Sequence, residues 1–223
     1  MKKYLNYLDA KQFSEYADVK ILYDDDDGYL LYSEKDGMTN AAAFSLDGAV
    51  KVKNALPKDV KLISLRGEQL LTLFCNDGWE VKDECYQAQY HGTRILITEN
   101  NYSFRFLTPN DIGLIEKYYP NREYVYSLLE KGVFIGVFDG DELVGSIGEH
   151  ARGSMGLLQI KETHRKKGLG FLLEATKINR MLSQGRTPVC HIVVTNTASL
   201  SLQRKLKMTF LPDKVYWLKK HEN

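Results

Sequence analysis

The chain has 223 residues, 43% of them hydrophobic, and its 30 basic and 29 acidic residues leave a formal charge of +1. That apolar content can build one large core or two small ones, which excludes disorder as the main state. The balanced charge gives no bulk attraction to nucleic acid or to an anionic membrane, so neither is expected as a partner. Cys75, Cys85 and Cys190 are too few and too scattered for a disulfide scaffold or a four-thiolate metal site. The acidic run Asp24 to Asp27 lacks the alternating spacing of a calcium loop and reads as a solvated turn, so no metal site is expected. Met1-Lys2-Lys3-Tyr4-Leu5 opens no sustained apolar stretch, and no window reaches bilayer-crossing length; the expectation is a cytoplasmic protein with reduced thiols.

In chain order, Gly28 to Tyr32 and Asn40 to Leu46 read as strands joined through the turn pair Asp36-Gly37, although three alanines weaken the second. Asp47 can cap a helix running to about Leu56, where Pro57 closes it. Val60 to Leu65 reads as a strand, Glu68 to Asn76 as a helix, and Trp79 to Tyr90 as extended chain after Asp77-Gly78. Thr93 to Thr98 is a further strand candidate. The polar Glu99-Asn100-Asn101 then suggests a boundary between domains 1–98 and 99–223.

In the second half, Phe104 to Leu107 reads as a strand. Thr108 then caps, and Pro109 opens, a helix carrying Ile112, Leu114, Ile115 and Tyr118 up to Pro120. Tyr124 to Glu130 is a second short helix. Val133 to Phe138, Leu143 to Glu149 and Met155 to Ile160 form a meander. Phe171, Ala175, Ile178 and Leu182 recur at four, three and four, which makes one apolar helix face. Val189 to Thr195 is a strand, Ser199 to Lys207 a helix and Val215 to Leu218 a last strand; His221 is a tail residue. The fold class is α/β, in the sense of a mixed α+β sheet covered by helices. Both halves run strands, helix, strand, helix, strand, which suggests two tandem copies.

The segment Arg165-Lys166-Lys167-Gly168-Leu169-Gly170 carries the functional information. A strand that passes through a basic, glycine-containing turn into a helix N-terminus makes an anion site from main-chain N–H groups. It is neither the three-glycine dinucleotide fingerprint nor a nucleotide-triphosphate loop. The alternative is a basic surface turn that merely solvates a core helix, and the flanking strand and long helix favour the anion site.

With its flanks, Gly156 to Gly170 resembles the central motif of the GCN5-related N-acetyltransferase superfamily, Arg/Gln-x-x-Gly-x-Gly/Ala. Asn196-Thr-Ala-Ser199 with Leu202 and Leu206-Lys-Met208 is similar to that family's later strand-to-helix motif. The resemblance covers about residues 102 to 218 and is nearest the glycine N-acyltransferase and FR47-like branch, where a degenerate acetyltransferase-like domain often precedes the catalytic one. It implies acetyl-CoA or another acyl-CoA as cofactor. The pantetheine arm would lie along Leu158, Gln159 and Ile160, and the pyrophosphate against Arg165, Lys166, Lys167, Gly168, Leu169 and Gly170. Asn196, Ser199 and Gln203 would approach from the other side. The implied activity is N-acyl transfer to a primary amine of a small molecule or amino acid; the rival is a non-catalytic acyl-CoA-binding regulatory protein. Monomer and homodimer both remain open.

A thioester already has a good leaving group, so the protein needs to align an amine, remove its proton and stabilise an oxyanion. His150 and Glu149, at the end of their strand, are candidate bases, and alternation allows only one of them to face substrate. His191 is the rival, with a hydrogen-bonded core histidine as its bland reading. Against the family pattern, Met155 stands where some relatives place a glutamate, and Gln203 where many place a thiolate-protonating tyrosine.

Overall fold

The computed structural model describes residues 2–220; His221 lies outside them. The elements in order are α1 (Leu8–Ser14), β1 (Val19–Asp25), β2 (Gly28–Ser33), β3 (Met38–Ala43), α2 (Leu46–Asn54), β4 (Leu62–Arg66), α3 (Glu68–Cys75) and β5 (Trp79–Gln89). They continue with β6 (Ser103–Phe106), α4 (Ile112–Ile115), α5 (Arg122–Glu130), β7 (Ile135–Asp139), β8 (Glu142–Glu149) and β9 (Met155–Ile160). Last come α6 (Leu169–Ser183), β10 (Val189–Val193), α7 (Thr197–Lys205) and β11 (Thr209–Lys220). The chain folds as two compact units, Met1–Gln87 with His191–Asn196 and Phe210–Asn223, and Ala88–Cys190 with Thr197–Thr209. Two later segments, His191–Asn196 and Phe210–Asn223, thus return to the first unit.

In the first unit, β1, β2 and β3 form an antiparallel meander, β4 adds parallel to β3, and β11 pairs antiparallel with β4. Ala41, Ala42 and Ala43, which weaken the strand reading of β3, are fully or almost fully buried. Such small side chains let helices pack close on both sheet faces. Leu30, Ala41, Ile63 and Leu65 meet α2 and α3 through Val52, Leu70 and Phe74. On the other face Tyr29, Leu31 and Ala42 meet Ala10 and Phe13 of α1. The cap of α2 is Ser45, whose hydroxyl accepts from Gly48 N–H at 3.0 Å, not Asp47 as the sequence suggests. Asp47 instead pairs with Lys51 one turn on.

In the second unit, β6, β7, β8 and β9 form an antiparallel meander. Ile135, Val137, Val144 and Ile147 pack on Leu169 and Leu173 of α6, while Phe134 and Phe138 pack on Ile115, Val125, Leu128 and Leu129 of α4 and α5. The single helix expected after Thr108 is broken into 3-10, α and 3-10 turns over residues 109–118. Thr108 does begin it, with its N–H and hydroxyl both donating to Asp111. Thr93 to Thr98 forms no strand. Ile95 there bonds the carboxamide of Asn179 through both N–H and C=O, each at 2.8 Å, so a side chain supplies the partners a neighbouring strand would have given. No helix among the described residues is long and apolar enough to cross a membrane.

Candidate functional site

Three features of the second unit meet around β9. The first is a bulge: the β8 register shifts between Ser146 and Gly148, and Leu157 on β9 takes a left-handed φ of 56°. An extra residue in one strand bends it and leaves a main-chain amide outside the ladder. The Leu157 carbonyl accepts from the Tyr119 hydroxyl at 2.5 Å. The second is the other edge of β9, whose one register pair with β10 is Met155 with Cys190. From Leu157 to Ile160 that edge carries no strand pairing among the described residues, so its backbone can accept an extended ligand as a further strand would.

The third is the turn into α6. Lys166 and Gly168 both have left-handed backbones, φ 61° and 83°. Alternating left- and right-handed residues turn successive N–H groups toward one point, an anion-binding concavity. Gly168 is the N-cap of a helix of 15 residues, and no acidic residue lies in its first turn. Leu172 N–H bonds Gly168 C=O at 3.1 Å, so the amides of Leu169, Gly170 and Phe171 lack intrahelical acceptors. Lys166, Lys167 and Gly168 are exposed, and a Cβ on Gly168 would meet nothing within 4 Å. The glycine is required by its backbone angle, and the space before it is open to a ligand. Gly170 differs, since a Cβ there would make ordinary contacts with Leu202 and Leu158 at 3.5 and 3.9 Å. Arg165 folds back on Glu162 at 3.2 Å and on Ile160 C=O at 3.3 Å.

The candidate catalytic residues separate. Glu149 is buried, and its two carboxylate oxygens lie 2.7 Å from Lys177 Nζ and 2.7 Å from the Arg186 guanidinium. Lys177 also donates to Val133 C=O at 2.6 Å, and Arg186 to Gly153 C=O at 3.0 Å. With both oxygens in ion pairs, Glu149 is an anchor between α6 and the sheet, not a base. Burial pulls the Lys177 ammonium below its ordinary range, with Glu149 opposing. His191 falls in the first unit, 3.6 Å from Asp9 and tilted against Trp217. It is a core histidine and not part of the β9 constellation.

His150 is exposed in the β8–β9 turn, where its N–H bonds Ser154 C=O at 2.9 Å. Its ring lies on the Gly156 backbone, so close that a Cβ on Gly156 would come within 2.5 Å of Nε2. Nδ1 is 3.4 Å from the Tyr124 hydroxyl, which accepts from Ala151 N–H at 3.2 Å. Burial raises both the Tyr124 and Tyr119 hydroxyls above the usual phenol range. Reading the sequence missed both tyrosines; Tyr119 before Pro120 and Tyr124 after the cap Asn121 carry only turn signals.

Leu158, Gln159 and Ile160 line the open edge of β9. Asn196 belongs to the first unit, where its N–H bonds Val193 C=O at 2.8 Å. Ser199 is half-buried on α7. Gln203 is buried and donates through Nε2 to Glu174 at 2.7 Å, so it faces the core rather than a ligand. Burial pushes the Glu174 carboxyl up to about 7. The Cys190 thiol is raised well above its usual range by burial first and by Glu174 second, which makes it an inert core residue.

This fold, an open antiparallel meander whose fourth strand bulges and then turns through left-handed residues into a long helix, is shared with solved structures of GCN5-related N-acetyltransferases. Residues 132–218 match the family model described as FR47-like protein. A GCN5-related N-acetyltransferase from Kribbella flavida is 11% identical, with 98% of this chain and 95% of that one covered at a TM-score of 0.66. A GCN5-related N-acetyltransferase-like protein from Streptococcus suis is 14% identical, with 95% and 96% covered at 0.58. A tandem GNAT protein from the clavulanic acid biosynthesis pathway is 12% identical, with 95% and 86% covered at 0.52. At these identities the likeness is one of fold. No curated protein matches the chain.

Proposed function

We propose that the protein is an acyl-CoA-dependent N-acyltransferase, most simply acetyl-CoA-dependent, acting on a primary amine of a small molecule or amino acid by direct attack in a ternary complex. The observation that carries this reading is the open β9 edge running into the Lys166–Gly168 turn. The bound acyl-CoA supplies an activated thioester carbonyl. Leu158, Gln159 and Ile160 offer main-chain groups to its extended arm; Lys166, Lys167 and the amides at the start of α6 offer charge and N–H donors to its pyrophosphate. The amide freed by the Leu157 bulge is suited to an oxyanion. His150 takes the proton of the attacking amine as the new N–C bond forms and the C–S bond breaks, and water returns a proton to the departing thiolate.

The tandem reading, residues 1–98 and 99–223, is part of the same proposal. In each half an antiparallel meander is followed by a helix and then by a strand parallel to the meander's last, β4 on β3 and β10 on β9. In the first, β3 enters α2 through Ser45, whose hydroxyl occupies the helix N-terminus that an anion would use. Gln203 and Glu149, both committed to core partners, favour one second reading, a non-catalytic acyl-CoA binder.

The test is thiol release from acetyl-CoA across a panel of primary amines, with CoA affinity measured on the wild type and on Gly168→Val. Acceptor-dependent release, together with CoA binding weakened at least about tenfold in the folded variant, is expected, because a β-branched side chain cannot take the left-handed backbone without cost. Binding without release would leave the non-catalytic reading, and unchanged affinity in the variant would remove the phosphate assignment.

A further inference from the structure

The first unit holds a cavity of about 450 Å³ whose walls include Tyr7, Phe44, Arg66, Gly67, Asp213 and Tyr216. It opens at the carboxyl ends of the parallel strands β3 and β4, which pair as far as Ala42 with Arg66. Open α/β sheets take ligands at that place. Gly67 has φ 98°, and a Cβ on it would lie 2.3 Å from Ala43 C=O, so glycine alone lets β4 turn there into α3. No side chain caps α3, and its first internal bond is Leu71 N–H to Gly67 C=O at 3.0 Å. The amides of Glu68, Gln69 and Leu70 therefore lack intrahelical acceptors.

A second observation points to what they receive. Arg66 is 2% exposed, its terminal nitrogens are engaged by Asp9 at 2.9 Å, by Gln87 and by Tyr29 at 3.4 Å, yet its Nε–H is buried with no acceptor. Burial works to raise Asp9, but Arg66, aided by His191, holds that carboxyl well below the usual range. The guanidinium therefore keeps a fixed orientation. A buried, unmatched N–H is costly and is ordinarily met by solvent or ligand. Beyond it the walls are aromatic: Tyr7 and Phe44 stack with centroids 6.1 Å apart, and Phe44 remains 43% exposed. Glu68 and Asp213, also in the walls, are exposed acids, Asp213 beside the Tyr7 hydroxyl that donates a hydrogen bond to it, and Lys214 is paired with Glu84.

We propose that this pocket binds a small zwitterion with an apolar body, its carboxylate on Arg66 Nε–H and the α3 amides and its ammonium on Asp213 and Glu68. A simple anion is opposed by the two acids, and a simple cation leaves the inner donors unmet. The inference concerns the first unit alone and does not depend on acyl transfer. The experiment is calorimetric titration of the full chain, without acyl-CoA, using L-phenylalanine, 3-phenylpropionate and phenethylamine as probes. L-phenylalanine is expected to bind at one per chain, with each analogue at least about tenfold weaker, the effect of losing one charge-assisted contact. Asp213→Asn, at an exposed position, is expected to weaken L-phenylalanine about tenfold and leave 3-phenylpropionate unchanged. Arg66→Lys removes Nε and is expected to weaken both carboxylates; should it not fold, the analogues and Asp213→Asn decide. Failure of L-phenylalanine to bind, phenethylamine binding as tightly, or an Asp213→Asn protein with unaltered L-phenylalanine affinity would each overturn the proposal.

Discussion

Glu174 is a carboxyl that this fold prefers neutral. It is buried, its Oε2 has no donor, and neither does the Oε1 of its partner Gln203. A protonated Glu174 supplies the donor that this pair lacks. Because its folded pKa lies at about 7, above the ordinary 4.5, the folded state binds the proton more tightly. Stability is therefore lost as pH rises from the unfolded value through the folded one, and the penalty is complete above it. Glu174→Gln, which brings its own N–H donors, is expected to raise the unfolding free energy at pH 8, read from urea denaturation, by up to about 3 kcal/mol, with little effect at pH 4.5. A variant less stable than wild type at pH 8 would show that the carboxylate is held ionised. His150→Gln keeps a polar side chain and removes the base; kcat is expected to fall by about 10² or more, with loss of the acid limb of the pH profile. An unchanged profile would exclude His150 as the base. His150 was visible in the sequence, but its partner Tyr124 was not, since 26 residues separate them and only packing brings them to 3.4 Å.

At the scale of elements, the two turns into helices repay comparison. The α6 turn is legible because left-handed backbone demands glycine, and Gly168 is there to be read. The α2 cap misled, because Ser45 and Asp47 are both cap-forming residues and only the main-chain path chooses between them. Glu149 misled for a deeper reason: adjacent strand residues face opposite sides, and nothing local says which side is core. The answer comes from Lys177 on α6, whose charged end is drawn into the sheet by Glu149. Lys177→Met is expected to lower stability by about 3 kcal/mol, as an uncompensated buried carboxylate costs more than the methionine packing returns. The check is a shift in urea midpoint at unchanged m value. A loss of unfolding free energy below about 1 kcal/mol would mean that Arg186 alone satisfies Glu149.

For the whole molecule, the proposed function places cofactor chemistry in the second unit. Saturating acetyl-CoA is expected to slow amide hydrogen exchange in residues 156–171 while leaving the amides of α3 unaffected. Protection concentrated at α3 would relocate the cofactor. The sequence by itself determined the mixed α/β class and the left-handed strand-to-helix turn at Gly168, because hydrophobic period and left-handed glycine are local properties. Only the tertiary structure decided which carboxylates are free, that His191 and the last strand belong to the first unit, and that Arg66 is buried with an unmatched donor. These depend on partners distant along the chain, as with Asp9 and Arg66 or Glu149 and Lys177, and a local pattern carries no record of which distant charge will close on which.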